Sequence, residues 1–123
     1  MALVNKVEQK AKVSIDTVIQ FQIVTYCFFN DIQISNADLK CLAQLAKQGE
    51  VELTLFCNDV TDMGIFKSPQ SARNAITKAS KKDLVIKNGY NKKKITLSKI
   101  LNVQTEGNVF LDYKILGIES KES

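Results

Sequence analysis

Five side chains able to read or grip a polar surface, Gln70, Ser71, Arg73, Asn74 and Lys78, fall within nine residues of one another. Between and beyond them Ala72, Ala75, Ile76 and Ala79 recur at three- and four-residue intervals. On a helix this spacing collects the small apolar groups on one narrow face and turns the amides, hydroxyls and cations elsewhere. Arg73 is the only arginine, against sixteen lysines. Its planar fork matches a guanine edge in a way that a lysine does not, which makes it the first choice for a specific contact. The plainer reading of Arg73 is a surface cation paired with Asp62 or a neighbour.

These side chains need a rod and a tip to hold them. Ser68 is a good N-cap and Pro69 suits the first helical position, so a helix is expected over 68–81. Leu84-Val85-Ile86 then reads as a short strand, Asn88-Gly89 as a tight turn, and Lys92-Lys93-Lys94-Ile95-Thr96-Leu97 as the returning strand. Lys67, Ser68, Lys81, Lys87, Lys92, Lys93 and Lys94 suit phosphate contacts, which position a protein on a duplex without reading sequence. Tyr90, at the hairpin tip, could lie along a sugar-phosphate backbone, enter a minor groove, or only pack the turn. Residues 67–99 hold ten Lys/Arg and one acid, a net +9, which leaves −5 for the rest of a chain whose total is +4. Such segregation suggests a polyanion-docking face; the bland reading is a solvated lysine surface.

The order of elements from Ile32 to Leu97, and the phrase SPQSARNAITKASKKDLVIKNG within it, resemble the recognition helix and wing of winged helix-turn-helix domains. Such domains occur in MarR-type regulators and in phage and plasmid replication proteins. The resemblance implies an α+β winged helix with a recognition helix at 68–81 in the major groove and a lysine-rich wing at 86–95 on the backbone. It implies base contacts by Gln70, Ser71, Arg73, Asn74 and Lys78. Backbone contacts would come from Lys67, Ser68, Lys81, Lys87, Tyr90, Lys92, Lys93 and Lys94.

At 123 residues and 45% apolar composition the chain is expected to be a single domain with a real core. Residues 1–13 read as a flexible tail. Ile15–Phe29 fits a helix with two apolar sides better than a strand, although Ile19, Phe21 and Ile23 alternate with Gln20 and Gln22. Ser14 would cap this helix, and its second apolar side would meet either a second copy of the chain or the C-terminal strands. Asp31–Ile34 reads as a short strand beside the wing. A helix capped by Ser35, with Asp38 as the answering member of a capping box, should end at Gly49. Glu52–Met63 is expected to be the first helix of the helix-turn-helix. Beyond the winged helix core (31–97) a C-terminal extension spans 98–118. In it Val103–Thr105 and Val109–Leu116 flank a turn at Glu106-Gly107-Asn108 and would form an extra hairpin. That hairpin could extend the sheet, cover the N-terminal helix or recruit another protein; 119–123 reads as a tail.

Other chemistries fit poorly. There is no histidine, the commonest general base and a common metal ligand. The five glycines are scattered at element ends rather than gathered into a phosphate loop, and Cys57 lacks a partner base. Asp59 and Asp62 are accounted for by a short helix. No catalysis, cofactor or metal is therefore expected. Cys27, Cys41 and Cys57 are odd in number, widely spaced and set among apolar residues, as reduced thiols in the cytoplasm would be. Met1–Lys12 lacks the apolar core of a signal peptide, and Ile15–Phe29 is too short to cross a bilayer. The leading expectation is a sequence-specific double-stranded DNA-binding protein, a small dimeric transcriptional regulator paired through Ile15–Phe29. The alternative is a winged-helix assembly protein of a phage particle or replication complex, with a protein partner at the C-terminal hairpin. A replication-initiator fragment is a third reading.

Overall fold

Four side chains set where the helices begin. In the computed structural model, which describes residues 14–106, Ser14 Oγ accepts the Thr17 N–H at 3.2 Å and Ser35 Oγ the Asp38 N–H at 3.1 Å. Glu52 Oε1 accepts the Thr54 N–H at 3.1 Å and Ser68 Oγ the Ser71 N–H at 3.2 Å. Each takes one of the donors that a helix start leaves unpaired. The helices so capped are α1 (Ile15–Phe29), α2 (Asn36–Gln48), α3 (Leu53–Asp62) and α4 (Pro69–Lys81). Three short strands, β1 (Val51–Glu52), β2 (Val85–Asn88) and β3 (Lys94–Leu97), form an antiparallel sheet in the order β1-β3-β2.

The described residues are thus α+β, with four helices and a small antiparallel sheet, in a layout compatible with the winged-helix arrangement expected from the sequence. The core gathers Ile19 and Ile23 of α1, Leu42 and Leu45 of α2, Phe56 and Val60 of α3 and Ile76 of α4. Leu84 and Ile95, just before β2 and within β3, close it from the sheet side. Each such side chain gains about 1.5–3 kcal/mol from leaving water, enough together to fix how α3 and α4 sit.

Several local expectations change. The Asp31–Ile34 segment is no strand: the Ile32 N–H turns back to Cys27 O at 2.8 Å. The third strand is instead Val51–Glu52, paired with Ile95 and Lys94, so Glu52 lies in β1 and caps α3 rather than opening it. The hairpin connection is longer than a two-residue Asn88-Gly89 turn. Asn88 is the last residue of β2, opposite Lys94, and the chain turns over Gly89–Lys93. Gly89 carries φ +82°, and a Cβ there would come within 3.1–3.2 Å of the Lys94 side chain. Val103–Thr105 is not a strand, and Val109–Leu116 lies outside the described residues, as do the 1–13 and 119–123 tails. Among the described residues no helix is long and apolar enough to cross a membrane.

Candidate nucleic-acid interface

The small face of α4 decides what its other faces present. Ala72, Ala75, Ile76 and Ala79 are buried, so α4 lies close against α3. The opposite side carries Gln70, Asn74 and Lys81, all exposed. Gln70 Nε2 donates to Asn74 Oδ1 at 3.0 Å, one helical turn along, so the two amides form an outward pair. Ser71 is exposed, its hydroxyl 3.1 Å from that of Ser68, which is half-buried. Lys67 is exposed just before the cap.

Arg73 and Lys78 lie on opposite flanks of α4 rather than on its crest. Arg73 is half-buried, and its guanidinium donates to Thr54 Oγ1 of α3 at 3.3 Å. Lys78 faces α2, with Nζ 3.4 Å from Asp38 Oδ2. Asp38 thus gives its carboxylate to Lys78 while its N–H meets Ser35, so the expected capping box forms by its serine half. With the Lys78 side chain 60% exposed, this pair contributes little to stability. The two cations bracket a crest that carries the Gln70 and Asn74 amides and Lys81.

The first turn of α3 joins this rod to the hairpin. Thr54 holds Arg73 on one side, and the neighbouring Leu53 N–H donates to Lys93 O at 2.7 Å on the other. Burial pushes the Cys57 thiol up; Arg73 opposes this, Glu52 reinforces it and Lys87 opposes it again. Those charges, from α4, β1 and β2, thus act on the second turn of α3. Lys87 is half-buried within β2, opposite Ile95. At the tip, Tyr90 is 85% exposed, and Lys92, Lys93 and Lys94 are exposed around it. Asn91 and Lys92 have φ of 57° and 55°, a left-handed pair that costs energy outside glycine and gives the tip its tight shape. The shape is braced by the Lys92 N–H to Gly89 O bond, 3.1 Å, and the Lys93 N–H to Tyr90 O bond, 3.3 Å.

Sequence reasoning missed the groups that orient this surface. Thr54 and Asp38 stand 19 and 40 positions from the cations they hold, beyond any local spacing rule. Lys82 is likewise engaged, its amine donating to Gln33 O at 2.8 Å and tying the end of α4 to the segment before α2. Among the described residues no group of three or more His, Cys, Asp or Glu side chains could hold a metal ion. Comparison with protein-family models, with characterised proteins and with solved structures finds no match for this chain.

Proposed function

We propose that the chain is a winged-helix protein that binds double-stranded DNA, with α4 in the major groove and the β2–β3 connection on the phosphate backbone. The supporting observation is the joint at the first turn of α3, which holds Arg73 and Lys93 through adjacent residues and so ties rod and tip together. A net +9 over 67–99 supplies the attraction. The outward Gln70–Asn74 pair offers the amide groups that recognise adenine edges, with Arg73 at the margin for a guanine or a phosphate. Transcriptional regulation is the role that suits a small reader of this kind. The three buried thiols fit a reducing compartment such as the cytoplasm. Pairing of two copies would present two such faces to two half-sites, but one chain suffices for the contacts described.

The experiment is fluorescence anisotropy with random and with selected duplexes at low and moderate salt. Binding to random DNA that falls steeply with salt, with tighter binding to selected sites, is expected. Absence of binding at low salt, with a stable oligomer in solution, overturns the proposal and favours the assembly reading.

A further inference from the structure

Helix α1 is apolar on both sides, and the described residues occupy one of them. Ile19, Ile23 and Cys27 are buried in the core, while Phe21, Val24, Phe28 and Phe29 are 46%, 39%, 71% and 81% exposed. No charged residue interrupts that outer stripe. Beside it stands Gln22, whose side-chain amide pairs twice with the backbone of Gln104. Gln22 Nε2 donates to Gln104 O at 2.9 Å, and the Gln104 N–H donates to Gln22 Oε1 at 2.7 Å. A side-chain amide here copies the paired bonds that one strand makes to another. It fixes the outgoing chain along the edge of the exposed stripe, just after Leu101 is buried in the same core.

Shortly after that anchor comes the segment GNVFLDYKILGI, residues 107–118, which lies outside the described residues. Its charges are one Asp and one Lys, and Val109, Leu111, Tyr113 and Ile115 alternate along it. Twelve residues reach about 40 Å when extended, whereas the 15 residues of α1 span about 22 Å. We propose that the outer face of α1 is the docking surface for residues 107–118 of its own chain. A second copy fits the area less well. At about 200 Å² per phenylalanine, the exposed parts of the three rings offer about 400 Å². A stable interface between proteins takes about 800 Å² from each partner.

The chain has no tryptophan, so Phe28→Trp installs a single reporter on this face. Expected is a blue-shifted emission protected from acrylamide, unchanged on dilution in a particle of one chain's mass. Leu111→Ser/Tyr113→Ser/Ile115→Ser in the same background should shift the emission red and remove the protection, with the far-ultraviolet circular dichroism of the helices retained. Solvent-like emission in the otherwise intact chain overturns the proposal. So does protection that fades on dilution and ignores the triple substitution, which would assign the face to a second copy. The dilution series separates this proposal from a second copy even if the triple variant fails to fold, and Tyr113→Ser alone then supplies the test of the segment: unchanged protection in it overturns the proposal.

Discussion

Replacing Lys92, Lys93 and Lys94 together with alanine tests the role of the tip in numbers. All three are exposed, and among the described residues none forms an ion pair with an acid. Each phosphate neutralised contributes about −0.9 to the slope of log K against log salt on duplex DNA. Three contacts therefore account for about −2.7 of that slope. Across a fourfold rise in salt, the intact protein should lose about 40-fold more affinity than the triple variant. Stability should hardly move, within about 0.5 kcal/mol, because no buried group is touched. The assay is anisotropy with a random duplex over a salt series, with urea unfolding of both proteins as the control. An unchanged slope would remove the tip from the interface, however much the affinity at one salt concentration had dropped.

Other substitutions probe the rod and its support. Arg73→Ala should lower discrimination at one base pair by about 1–3 kcal/mol, whereas an equal loss on selected and random duplexes would make Arg73 a phosphate or structural contact. Ala72→Leu should destabilise the fold by about 1–3 kcal/mol in urea, since Ala72 is fully buried on the packed face of α4; a cost near zero would deny that tight packing. Ser68→Ala should cost about 1 kcal/mol through loss of the cap on the Ser71 N–H, read by the same unfolding curve. The Cys41 thiol is pushed from an ordinary 9.0 to about 12, first by burial and then by the neighbouring Cys57 and Asp38. The unfolded chain thus releases this proton first, so stability should hold below pH 9 and fall as the pH climbs towards 12. Cys41→Ala should flatten that fall; an identical pH profile would show that Cys41 is not shielded.

Helix α4 was legible because its signals agree: Ser68 and Pro69 mark the start, and four small residues mark the buried face. The same agreement made α2 readable from Ser35 to Gly49 and α1 readable from Ser14 onward. Strand β1 was not legible. It is two residues long, has no alternation to detect, and exists because β3, more than forty residues later, offers it a partner. Asp31–Ile34 failed in the opposite sense, having the alternation but no neighbouring edge to bond. In the candidate interface, exposure of Gln70, Asn74 and Lys81 followed from helical period alone. The flank positions of Arg73 and Lys78 did not, since they depend on Thr54 and Asp38 standing on adjacent helices. Periodicity tells which side of a helix is buried; it does not tell what stands beside the open one.

The most direct test of the central claim is a titration of isotope-labelled protein with a duplex, monitored by amide and side-chain NMR shifts. Perturbations should gather at Gln70, Ser71, Asn74 and Lys81 and, at the same ratio of DNA to protein, at Gly89–Lys94. Shifts confined to α1, or limited to either the rod or the tip alone, would contradict a duplex gripped by both together.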